Sequence, residues 1–153
     1  MKRNSKLVRA QLDQTLSVLR PLLDTPIPLK GWIRAIRNAI GMSGRQLADR
    51  LGVTKQSASL IERREIAGTA TIKTLRNTAE ALDCIFIYGF IPKISLEETV
   101  RDQAKKVASA RLARASHTMS LENQSLNKIE NRAVLEDMIN ELTDELPKYL
   151  WDE

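Results

Sequence analysis

Residues 54–64, "TKQSASLIERR", gather side chains able to read a nucleic acid. The Gln56 carboxamide can bond an adenine edge through two atoms. The Lys55 ammonium can donate to guanine, and the hydroxyls of Ser57 and Ser59 can serve either base. Just upstream, Ser43, Arg45 and Gln46 sit where a helix begins, so their side chains join free N–H groups in a site suited to phosphate. Arg64 and Lys73 are further phosphate candidates. A second constellation lies far downstream. Thr118 and Glu122 are four residues apart and would share one helix face. The simpler reading is that Thr118 or Ser120 caps a helix and Glu122 is solvated. His117 has no second histidine to join it, so no metal is expected. One histidine, one cysteine, no glycine-rich phosphate loop and no paired metal ligands leave little to build a catalytic site from. No cofactor is expected, and the chain reads as a non-enzyme.

Charge separates the two ends. Residues 1–93 hold 16 Lys/Arg against 7 Asp/Glu, a net +9; residues 94–153 hold 8 against 12, a net −4. The basic part suits DNA, and the acidic part suits a different partner or plain solvation. At 153 residues, 42% hydrophobic but only 4% aromatic, the chain fits a mainly α protein. No apolar run is long enough for a membrane span. The basic N-terminus turns polar before any apolar block, which argues against a secretory signal. The single Cys84, in an apolar run, points to a reduced, cytoplasmic setting.

These residues need elements to hold them. Val8, Leu12, Leu16, Leu19 and Leu23 repeat at helical spacing, predicting an amphipathic helix over 5–23; "DTPIPLKG" follows as a linker. Trp32, Ile33, Ile36, Ala39 and Ile40 form the next helical face, closed by Gly41. Ser43 and Gln46 make a capping box for a helix that stops at Gly52. Thr54 caps the next helix and Thr71 opens another. "CIFIYGFIP" breaks the helical period, so a strand is expected at 85–91. A lone strand leaves its backbone groups unpaired. It either pairs antiparallel with the same strand of a second copy, through Ile85, Phe86, Ile87, Tyr88, Phe90 and Ile91, or packs as an extended connector on its own domain. Ser95 and Glu98 open a long helix, and a last helix spans roughly 132–146 before Pro147.

Within residues 44–63 the pattern is more specific. Two short helices that cross steeply need a small residue at the crossing and a residue tolerant of positive φ at the turn. Ala48 and Gly52 supply these, and Leu47, Leu51, Val53, Ala58 and Ile61 fill the inward positions. Over residues 31–82 the chain resembles the Cro/phage-repressor family of helix-turn-helix domains. That resemblance places Thr54, Lys55, Gln56, Ser57, Ser59 and Arg63 toward the major groove. A dimer would then bind a palindrome with half-sites roughly 34 Å apart.

A wider resemblance rests on "GWIRAIRNAIGMSGRQLADRLGV", "TLRNTAEALDC", "SHTMSLENQ" and "LW" near the end. Together these look like the family called mobile mystery protein A. That family is a predicted regulator on mobile elements, typically encoded beside a Fic-domain protein, the fold of AMP-transferring toxins. The resemblance implies an antitoxin that binds operator DNA as a dimer and restrains a Fic partner. Fic enzymes are inhibited by a helix reading Ser/Thr-x-x-x-Glu-Gly/Asn, which Thr118, Glu122 and Asn123 satisfy. The alternative is a stand-alone dimeric transcriptional regulator.

The expected architecture is therefore a helix-turn-helix bundle with one short dimer-pairing strand and a C-terminal helical extension. Its divisions are an N-terminal helix and linker (1–28), a DNA-binding domain (29–83), a dimerisation strand (84–93) and a partner-binding helical region (94–153).

Overall fold

A computed structural model of the chain describes residues 2–121 and 128–152. These residues form seven α-helices in chain order: α1 (Lys2–Ser17), α2 (Trp32–Ala39), α3 (Gly44–Leu51), α4 (Lys55–Ala67), α5 (Ile72–Ala81), α6 (Leu96–Leu121) and α7 (Lys128–Glu145). Short 3-10 turns lie at Arg20–Asp24 and Lys148–Trp151. No helix among the described residues is long and apolar enough to cross a membrane. The chain divides into two compact units, one of residues 1–20 with 90–153 and one of residues 21–89.

The first unit packs α1 against α6 and α7. Its core is Val100, Ala104 and Ala108 of α6 against Ile139 and Leu142 of α7, closed by Leu150 from the last 3-10 turn. Ala104 and Ala108 are one helical turn apart and fully buried, and their small size lets α7 and Leu150 come close to α6.

Polar contacts hold α1 in place. The Asp13 carboxylate accepts hydrogen bonds from the N–H groups of Leu96 (2.7 Å) and Glu97 (3.2 Å), capping α6 from another helix. Ser95 adds the local cap, accepting from the Glu98 N–H. Arg9, buried, donates to Glu97 at 2.8 Å and to the Thr143 carbonyl at 3.3 Å. Arg20 donates to the carbonyls of Pro92 and Ile94. Replacing Asp13 by alanine removes two acceptors from the start of α6 and should destabilise this unit by about 1–2 kcal/mol. Hydrogen exchange at residues 96–98 would show it; unchanged protection there would mean that Ser95 alone suffices.

The structure departs from two expectations. The helix expected over 5–23 ends at Ser17. Pro21 lacks an N–H and crowds the carbonyl four residues back, so the chain continues as a 3-10 turn. The face of α1 that packs inward carries Arg9, while Val8 and Leu12 remain exposed. The strand expected at 85–91 is not seen in the single chain, where Ile85, Phe86, Ile87, Tyr88, Phe90 and Ile91 have no regular secondary structure. A ladder needs two strands, and the described residues of one chain supply no second one.

The second unit, 21–89, holds α2–α5 around Ile33, Leu47 and Leu82, with Ile36, Met42, Leu51, Ile61, Leu75 and Cys84 packed at the margins. Arg50 of α3 donates to the Ala81 carbonyl and pairs with Asp83, fastening the end of α5.

Candidate nucleic-acid interface

The α3–turn–α4 segment is built from its caps. At the start of α3 the Ser43 hydroxyl accepts from the Gln46 N–H (3.2 Å), and the Gln46 carboxamide oxygen accepts from the Ser43 N–H (2.7 Å). The helix ends at Gly52, in the left-handed conformation at φ 66°, ψ 32°. There glycine avoids the clash that a Cβ makes with the backbone. Two residues later Thr54 caps α4: its hydroxyl accepts from the Ser57 N–H and is hydrogen-bonded to the Ser57 hydroxyl at 2.9 Å. Leu47, Ala48 and Ala58 lie buried where the two helices cross.

One face of α4 holds it to the body. Ala58, Glu62 and Glu65 recur at helical spacing on that face. Glu62 is buried and accepts from Arg37 of α2 at 2.7 Å; Arg37 also donates to the Met42 carbonyl. The Glu65 carboxylate caps α2, accepting from the N–H groups of Trp32 (2.8 Å) and Ile33 (3.1 Å). Gly31 makes room for it: a Cβ there would stand 2.5 Å from a Glu65 oxygen.

Both carboxylates of α4 are thus spent inside the unit. The charged groups left on its exposed surface are Lys55, Arg63 and Arg64, all basic. Thr54, Gln56 and Ser59 are exposed with them. Ser57 differs: it is half-buried and committed to the Thr54 cap. Ser43, Arg45 and Gln46 are exposed at the start of α3, and Lys73 is exposed near the start of α5. The arrangement offers hydrogen-bonding and cationic groups on one helix, beside a helix start with its own free N–H groups. Double-stranded DNA requires both kinds of contact, to base edges and to phosphates.

Residues 33–84 match the helix-turn-helix family model. They are a helix-turn-helix domain. The match supports a DNA-binding regulator of transcription of the Cro/repressor type. No curated protein and no solved structure matches the chain.

Sequence reasoning missed the residues that orient the helix-turn-helix domain's second helix. Arg37, Glu62 and Glu65 bond within the unit and set how α4 lies on α2. A signal is present in the sequence: Glu62 and Glu65, two acids three residues apart in an otherwise basic helix, need partners somewhere. Of the distant constellation, Thr118 lies within α6, whereas Glu122 and Asn123 fall outside the described residues.

Proposed function

We propose that this protein is a transcriptional autorepressor that binds operator DNA as a dimer and acts as the antitoxin of a Fic-domain partner. The observation that carries the DNA-binding part is the exposed face of α4, on which every charge is positive because Glu62 and Glu65 are turned inward. Thr54, Lys55, Gln56, Ser59 and Arg63 read the major groove, with Ser57 holding the helix start in shape. Ser43, Arg45, Gln46, Arg64 and Lys73 bind phosphates. The role is that of a binding protein, not a catalyst.

Binding to the chain's own promoter tests this part. Gln56→Ala should lower discrimination at one base pair by about 10–100-fold. Arg45→Ala should weaken all sequences alike and reduce the salt slope by about 1. Equal affinity of the unaltered protein for operator and random DNA would defeat the reading.

The antitoxin part rests on the resemblance over "SHTMSLENQ" and on α6, whose helical backbone includes Thr118 as the Fic-inhibitory pattern needs. In this reading Glu122 pairs with the arginine that would otherwise hold the terminal phosphate of ATP, and Thr118 and Asn123 complete the inhibitory element. Glu122→Ala should leave operator binding intact and release AMP transfer by the co-expressed partner. If inhibition persists in that variant, the motif is not the inhibitor. If the chain purifies from its operon alone, it is a stand-alone regulator.

A further inference from the structure

The helix-turn-helix unit holds a cavity that its DNA-binding role does not use. It encloses about 760 Å³ between Trp32 and Ile36 of α2, Ile66 of α4, Leu75 of α5 and Phe86 of the segment after α5. Pockets that hold small molecules have volumes of roughly 300–1,000 Å³ and mostly apolar walls with a few placed polar groups. This cavity has that size and that kind of wall. Its placed polar group is the Glu65 carboxylate: among the described residues that line the cavity, Glu65 alone is charged.

Glu65 is half-buried, and its two oxygens accept one N–H each, from Trp32 and Ile33. Those donors are neutral, so the carboxylate keeps its charge. A carboxylate offers about four acceptor sites, so each oxygen can take a further partner. Glu62, one turn earlier, has its cation, Arg37, at 2.7 Å. No described lysine or arginine pairs with Glu65, although residues 21–89 carry ten Lys/Arg against six Asp/Glu. A charge drawn partly out of water is stabilised by an opposite one. An aromatic ring adds attraction for a cation, tryptophan most strongly, and Trp32 lines the same cavity.

We infer that the cavity is a binding site for a small lipophilic cation: an apolar body, aromatic or branched, carrying one quaternary ammonium or phosphonium charge. The body displaces water from Ile36, Ile66, Leu75 and Phe86, and the charge lies at Glu65 and Trp32. An anion of the same shape would be repelled by Glu65, and a neutral molecule would leave the carboxylate unmatched in a drier site. The site does not overlap the surface offered to DNA. Gln56 and Glu65 lie on opposite sides of α4, nine residues or about two and a half turns apart. The inference therefore stands apart from the DNA-binding reading.

Tetraphenylphosphonium and tetraphenylborate serve as probes, because they share a shape and differ in the sign of their charge. Trp32 fluorescence of the full chain, in a Trp151→Phe background, reads their binding. The cation should bind one site per chain, at least about tenfold tighter than the anion, against the pull of a net charge of +5. Glu65→Gln keeps an oxygen acceptor for the N–H groups of α2 and removes the charge. It should weaken the cation by about tenfold and bring the two probes close to equal. Ala79→Phe leaves Glu65 in place and fills the cavity from α5, so it should abolish cation binding even where loss of the Glu65 charge impairs folding. Equal affinity of the parent for the two ions would overturn the cation assignment. Cation binding that survives Ala79→Phe would put the probe elsewhere on the chain and overturn the site. A parent that binds neither ion would overturn both.

Discussion

Replacing Glu62 by alanine should lower the stability of the helix-turn-helix unit by about 3 kcal/mol or more. Glu62 and Arg37 are each only about one-tenth exposed, at 11% and 12% of their side chains, and their atoms meet at 2.7 Å. Removing one member of such a pair leaves the other charge buried with its attraction gone. Arg37 would keep its bond to the Met42 carbonyl but lose its counter-ion. For a unit of this size the loss is a large share of the whole folding free energy. Operator affinity should fall with it, because α4 would keep only the Glu65 cap of the two carboxylate contacts that fix it on α2. The double replacement Arg37→Met with Glu62→Leu should lie much nearer the parent, since a buried pair gains little over apolar residues of similar volume. Urea unfolding followed through Trp32, in a background with Trp151→Phe, reports on this unit alone. A single-variant loss below about 1 kcal/mol would show the pair to be well solvated, as an exposed pair is.

The second large effect belongs to the other unit. Leu150→Ala should cost about 3 kcal/mol, the middle of the range for a buried leucine that leaves a cavity. Leu150 is fully buried among Val100, Ala104, Ala108, Ile139 and Leu142. Its carbonyl accepts from Gln103 at 2.9 Å, and the neighbouring Tyr149 ring lies 4.5 Å beneath the Arg111 guanidinium. These contacts hold the turn in place, so the site cannot collapse freely around a smaller residue. Trp151 fluorescence in a Trp32→Phe background would follow the loss. Operator binding at low temperature should be unaffected, and a matching loss there would show that the two units do not fold separately.

Much of the helix-turn-helix was legible because its signals are local. Ser43 with Gln46, Gly52 and Thr54 each act within three or four residues, and each does in the structure what its type and spacing imply. What escaped was set by partners distant in sequence. Periodicity identified a leucine face on the first helix but not what it would meet, and Arg9 rather than Val8 turns inward because Glu97 and the Thr143 carbonyl are there to receive it. Asp13 looked like any exposed acid until the start of α6 arrived beside it. Pro21 lacks an N–H, and that outweighs the leucine spacing that continues to Leu23. The continuously apolar run at 85–91 is non-helical, as its break with the helical period implies, but strand geometry depends on a neighbour that one sequence cannot display. The side chains proposed for the site are legible as types in the sequence. The electrostatic character of the site is not, since it depends on where Glu62 and Glu65 go.

The caps supplied by Asp13 and Arg9 also order events in time. Their partners are 83 to 134 residues further along the chain. At roughly 5–20 residues per second a ribosome would leave α1 without them for several to some tens of seconds. The unit of residues 21–89 finds its contacts within itself and is complete in the nascent chain before α6 begins. The helix-turn-helix domain would thus complete its fold during synthesis while the three-helix unit, whose segments flank it in sequence, is still unfinished.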